Sequence, residues 1–253
     1  MRIFQLLTFV LLLSMPCPLS ANTIYLFGKV GNFPVGASLE QDNEKVTGWY
    51  FYHSQAKMIR LEGRIDSGGK FHIEETADNK TTGIFEGNKK NSCWTGTWRK
   101  TAASDPLQFY LDENRKQTKN LTCTCDCLAK ERVAEFGYTY RWKLKVIISD
   151  GIVKDFHAVQ GAYWDTGGEQ TCNIDLRDLK QDMSDAGILL RTRDASCRVR
   201  IIGDADTLWI VFGEISENGK DCRQAGDTMF CGPRAFWNDI LFDRHTQKCK
   251  AIK

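Results

Sequence analysis

The sequence lacks the short patterns that give many enzymes away. It contains no Gly-x-Ser-x-Gly, so no nucleophile elbow is encoded. No glycine loop precedes a helical stretch to cradle a phosphate. The four histidines, His53, His72, His157 and His245, show no metal-ligand spacing. Charge of one sign is missing too: 34 Lys and Arg stand against 32 Asp and Glu, a formal net charge of +2. That balance gives no electrostatic basis for nucleic acid or an anionic membrane as the main partner. After the N-terminal segment, no apolar run reaches the length of a transmembrane helix. These absences leave no catalytic residue, no metal and no cofactor to nominate.

What is present begins with the first residues. Arg2 provides a short positive start, Ile3 to Leu13 an apolar run too short to span a bilayer, and Leu19-Ser20-Ala21 the small residues of a cleavage site. This reads as a secretory signal peptide over 1–21, cut between Ala21 and Asn22. Cleavage before Cys17 would instead expose a lipid anchor, but Pro16 stands where such sites want a small residue. Export places the protein in the periplasm or outside the cell, where disulfides form. Of the ten cysteines, Cys17 lies in the leader. Nine remain, an odd number, so one thiol is left over unless a partner takes it.

Composition suits a packed protein: 42% of residues are apolar and 11% aromatic. From Ile24 to Leu111 the dominant period is two. Ile59, Leu61, Gly63 and Ile65 share one face, Phe71 and Ile73 alternate with His72 and Glu74, and Trp94, Gly96 and Trp98 fall together. Such alternation predicts half-buried strands. Asp42-Asn43, Ser67-Gly68-Gly69, Asp78-Asn79, Gly87-Asn88 and Ser104-Asp105-Pro106 punctuate them as turns. About seven strands follow in an antiparallel meander, and a small up-and-down barrel would close its edges.

Thr82-Gly83-Ile84-Phe85-Glu86-Gly87, with Gly96-Thr97-Trp98 after it, resembles the texture of avidin-like and lipocalin-like small barrels. Gly48-Trp49-Tyr50-Phe51-Tyr52 leading into Ile59-Arg60-Leu61-Glu62-Gly63 is similar to a β-meander module of secreted bacterial proteins. The first resemblance implies a barrel that holds a small ligand in its mouth. The polar ligand contacts of avidin-like barrels have no residue-by-residue match, so biotin binding is not implied.

The expected organisation is a leader (1–21), an N-terminal β-meander or barrel (22–112), a polar linker with a cysteine cluster (113–130) and a C-terminal β-rich disulfide domain (131–253). In the last, Tyr138 to Ile148 alternates over a long stretch, and Asp150-Gly151 is a hairpin turn. Asp175 to Ala186 is the best helix candidate. The fold class is therefore all-β, a meander or small barrel followed by a second, disulfide-stapled β-rich domain.

Cys123-x-Cys125-x-Cys127 is the densest chemical cluster. It can staple the linker to distant cysteines or bind a thiophilic metal, and the oxidising compartment and missing zinc spacing favour the staple. Cys222 with Cys231, and Cys172 with Cys197, bracket segments they can close as bridges; Cys249 should fasten the C-terminus, with the linker cysteines as candidates. Asp204 and Asp206 have a carboxylate spacing that could touch calcium, but the rest of a ligand set is missing and the loop reads as a solvated turn; Asp239, Asp243, Arg244 and His245 read as a structural charged cluster. The consecutive Trp49, Tyr50, Phe51 and Tyr52 must face both sides of a strand, so either the outer pair packs under the neighbouring domain or it is exposed.

The functional expectation is non-catalytic binding, with protein recognition or enzyme inhibition first. Arg223, Met229 and Phe230 in the Cys222–Cys231 loop are the candidate partner surface. The alternatives are a small-ligand or glycan carrier, with Trp49, Trp94 and Trp98 lining the barrel mouth, and a cell-wall polymer hydrolase using Asp204, Asp206, Asp239 or Asp243.

Overall fold

Strand periodicity dominates the three-dimensional structure. The computed structural model describes residues 22–100, 104–113, 121–184, 187–192, 198–203, 206–212 and 238–252. The predicted leader and the Cys222–Cys231 loop lie outside them. Strands β1 (Asn22–Val30), β2 (Phe33–Asp42), β3 (Lys45–Tyr52), β4 (Ile59–Ile65), β5 (Lys70–Ala77), β6 (Lys80–Lys90), β7 (Cys93–Arg99) and β8 (Leu107–Asp112) pair in sequence order, all antiparallel. β8 returns to β1 with Val30 opposite Phe109, and the sheet closes as a barrel of eight strands rather than seven.

Turn chemistry sets the register of the hairpins. Asp78 and Asn79 both take positive φ (50° and 59°), the geometry that matches strand twist in a two-residue hairpin. Gly87-Asn88, expected to be a turn, instead lies within β6, and the reversal comes at Asn91 with φ 56°. The reason is close approach. Gly87 pairs with Gly96 across β6 and β7, and a Cβ on either would stand 2.0 Å from a backbone oxygen of the other strand. The glycine pair lets the sheet coil tightly where it closes.

Inward positions are apolar and fill the barrel. Leu26, Val35, Leu39, Leu61, Phe71, Ile73, Phe85 and Phe109 belong to one buried cluster. An eight-stranded barrel has a lumen about wide enough for its own side chains. The internal cavity among them is about 20 Å³, near the minimum for one water molecule and with no polar group to hold it.

The remaining strands form two sheets. One runs β12-β11-β10-β9, from β9 (Cys123–Val133), β10 (Tyr138–Ser149), β11 (Ile152–Trp164) and β12 (Glu169–Asp175). The other takes its strands in order: β13 (Leu179–Ser184), β14 (Gly187–Thr192), β15 (Arg198–Gly203), β16 (Thr207–Val211), β17 (Asp239–Asp243) and β18 (Lys248–Ile252). They pack face to face as a sandwich, with Leu144, Val146, Phe156 and Ile174 meeting Ile188, Leu190, Ile201, Ile210 and Phe242 in one core. Asp150-Gly151 turns the β10–β11 hairpin with φ of 51° and 73°.

Two expectations are corrected here. The cysteine cluster does not sit in a linker ending at Lys130: Cys123–Val133 is β9, paired along its length with β10. The segment reads as polar because Thr124 and Asp126 point outward, while Cys125 and Cys127 point into the core. The predicted helix over 175–186 is a single 3-10 turn, Leu176–Asp178, followed by β13. Leu179 is buried and Gln181 half-buried, alternating with exposed Lys180 and Asp182, and β14 supplies the apolar partner strand. Sheet pairing overrides the weak local preference.

The barrel and the sandwich share a third buried cluster. The outward side chains Tyr25, Phe27 and Phe51 of β1 and β3 pack on Ile202, Trp209, Val211, Leu241 and Ile252. The part of this sheet from β15 to β18 is thus covered on both faces. This accounts for the continuous apolar runs Leu208–Val211 and Ile240–Phe242, which do not alternate.

Candidate binding site

Strand parity aims one carboxylate into the barrel. Phe71, Ile73 and Glu75 all point inward from β5, and Glu75 is 7% exposed. Buried charge is costly unless it is bonded, and three donors converge on it. The Tyr50 hydroxyl donates to Glu75 Oε2 at 2.5 Å, Thr82 Oγ1 to Oε1 at 2.6 Å, and Trp98 Nε1 to Oε2 at 3.0 Å. Gly83 makes the arrangement possible: a Cβ there would stand 2.5 Å from Trp98 Nε1 and 2.9 Å from Glu75 Oε2. The Thr82-Gly83 and Trp98 of the sequence motif therefore serve one buried carboxylate. Burial, and then the Glu75 charge, push the Tyr50 hydroxyl well above its ordinary pKa; burial also raises that of Tyr52.

The opposite end is closed by a second polar plug. Glu113 receives Lys89 Nζ at 2.7 Å and Trp94 Nε1 at 3.4 Å on one carboxylate oxygen, and the Lys89 ammonium stands 5.0 Å from the Trp94 ring centroid. The three tryptophans expected to line a mouth are thus separated. Trp98 is at one end of the lumen and Trp94 at the other. Trp49 lies outside the barrel, its ring 5.3 Å from that of Trp209. Odd and even positions of β3 face opposite sides, so Tyr50 and Tyr52 turn inward while Trp49 and Phe51 pack under the sandwich.

Among the described residues, a groove between the two units forms a sizeable concavity of about 870 Å³. The barrel contributes Lys29, His53, Tyr110 and Asp112; the sandwich contributes Asp206, Asp243, His245 and Lys250. Its floor is stiffened by the β17–β18 turn, where Asp243 Oδ1 accepts the backbone N–H groups of His245 and Thr246, each at 2.9 Å. Those bonds hold the Asp243 carboxyl below the usual carboxylate range. His245 Nε2 lies 2.8 Å from Asp206 Oδ1, and both side chains are largely exposed. Lys250 Nζ donates to the Ser54 carbonyl at 2.9 Å, fastening one wall of the groove to the other.

Of the carboxylates considered for hydrolysis, Asp206 and Asp243 both line this groove. Asp239 is fully buried and accepts Trp209 Nε1 at 3.3 Å and the Phe212 N–H at 3.1 Å. Asp243 is engaged in its turn, and Asp204 lies outside the described residues. No group of three metal-ligating side chains occurs among the described residues. Arg223, Met229, Phe230, Cys222, Cys231 and Cys197 also lie outside them. Cys172 is disulfide-bonded, and Cys249 is bridged to Cys127 across 6.0 Å between Cα atoms.

Sequence reasoning passed over Glu75 and the groove. Glu75 had a signal, a carboxylate at an inward parity position two residues after Ile73. The groove had none, since its walls are separated by more than ninety residues in sequence. No family model, curated protein or solved structure matches this chain.

Proposed function

We propose that this is an exported, non-catalytic binding protein that recognises a protein partner through the groove between barrel and sandwich. The observation that carries the reading is the contrast between a barrel packed down to about 20 Å³ and an exterior groove of about 870 Å³. A lumen without space gives a carried ligand no chamber, whereas a groove with fixed walls presents a ready surface. Lys29, Lys248 and Lys250 stand against Asp112, Asp206 and Asp243 along it, a mixed pattern suited to a polypeptide carrying both signs of charge. Export is supported by the N-terminal pattern and by the Cys127–Cys249 bridge.

The test is a titration of purified partners, isolated by capture from host or competitor secretions. Lys29→Glu combined with Lys248→Glu should weaken binding by about tenfold or more, the scale of one or two groove contacts. Equal affinity in this variant, with binding lost on alanine substitution of Arg223, Met229 and Phe230, would move recognition from the groove to the disulfide loop. A captured protein that shows no saturable binding once purified would overturn protein recognition itself.

A further inference from the structure

The cysteine row of β9 is not uniform. Cys123, Cys125 and Cys127 occupy alternate positions and point to one face, and Cys127 is bridged to Cys249. Cys123 and Cys125 are both free thiols, with their Sγ atoms 3.1 Å apart. They differ in access: Cys125 is fully buried and Cys123 is partly exposed. Arg244, from the β17–β18 turn, donates to the Thr122 carbonyl at 3.0 Å and so places a fixed cation at the exposed end of the row.

Extended geometry limits what these two thiols can form. Alternate residues of a strand are separated by about 6.6 Å, twice the rise per residue, near the upper limit for a disulfide. A bond between them is permitted but held at the edge of its range, which makes it easier to reduce than an ordinary structural bridge. Such pairs serve exchange better than stapling.

We propose that Cys123 and Cys125 form a thiol–disulfide exchange site whose co-substrate is a low-molecular-weight disulfide, with Cys123 attacking and Cys125 resolving. The Cys123 thiolate attacks one sulfur of the external disulfide, and one external thiolate leaves and takes a proton. Cys125 attacks Cys123 Sγ, and the second external thiolate leaves with the proton that Cys125 gives up. The two protein thiols lose two electrons in total, and one external disulfide becomes two thiols. The shared hydrogen bond, with help from Arg244, lowers the Cys123 thiol below its ordinary pKa; the same bond and burial push Cys125 up. The asymmetry fits one exposed attacker and one sheltered resolver.

The site shares no lining residue with the binding groove and is tested separately. The full protein is equilibrated in buffers of varied oxidised and reduced glutathione, quenched with acid and alkylated. Cleavage after Lys119 and before Asp126 isolates the two cysteines from Cys127 for mass analysis. Reversible loss and return of alkylation at both cysteines is expected in buffers where Cys127 stays bridged. Cys125→Ser should accumulate the glutathione adduct on Cys123 by about tenfold over the wild type, because the resolving step is gone. Cys123→Ser should leave Cys125 unreacted, a protection that mere proximity of two thiols would not give. Thiols that stay reduced through the whole series, or a Cys125→Ser variant without adduct, would overturn the assignment.

Discussion

At the scale of single residues, the most informative group is Glu75, a carboxylate buried at one end of a largely apolar lumen. Its three donors come from three strands, so the hydrogen bonds also lock β3, β6 and β7 against β5. Tyr50→Phe removes the shortest of them and leaves a buried carboxylate oxygen short of a partner. The expected cost is about 1–3 kcal/mol in urea unfolding. Tyr50 also sets an alkaline limit. Its hydroxyl holds its proton more tightly when folded than when unfolded. Above about pH 10 the unfolded chain gives up that proton while the folded chain keeps it, so stability falls as pH rises. Tyr50→Phe should flatten this alkaline slope, read as the pH dependence of the unfolding midpoint. An unchanged slope would show that Tyr50 is not the group responsible. Thr82, Gly83 and Trp98 were legible as a motif; their common target was not, because a motif names residues without naming what they contact.

At the scale of elements, the informative feature is how edges and second faces are covered. β9 and β18 are the edge strands of their sheets, and Cys127–Cys249 ties them across a sequence separation of 122 residues. A cross-link closing so long a loop restricts the unfolded chain strongly. Replacing both cysteines by serine should lower stability by about 2–5 kcal/mol, measured by thermal or denaturant unfolding. A loss confined to the sandwich, with barrel tryptophan fluorescence unchanged, would show that the two units unfold separately. Strand existence was readable from period two through the barrel and along β10, whereas β16 and β17, buried on both faces, do not alternate. It failed at β9 and β13, where polar residues on the outer face masked an inner face contributing only a few buried side chains. Those segments become strands because a neighbour offers a ladder of hydrogen bonds, which local composition does not record.

At the scale of the whole molecule, the barrel and sandwich are held by an aromatic cluster centred on Trp209, whose ring lies 5.2 to 5.8 Å from those of Tyr25, Phe27, Trp49 and Phe51. Trp209→Ala should cost about 3–5 kcal/mol and loosen the groove, seen as a larger radius of gyration in X-ray scattering. Unchanged scattering with the same loss of stability would mean that Lys250 and the remaining apolar contacts suffice to fix the two units. Alternation and turn residues, properties of neighbouring positions along the backbone, were enough to establish an all-β chain, an antiparallel first half and many of its reversals. They could not establish that eight strands close on a filled lumen, that Trp49 and Phe51 lie under a second sheet, or which cysteine meets Cys249. Backbone geometry sends alternate side chains to opposite faces whatever lies beyond them, so periodicity is written locally. What covers each face depends on contacts between residues a hundred or more positions apart, and only the folded chain brings those together.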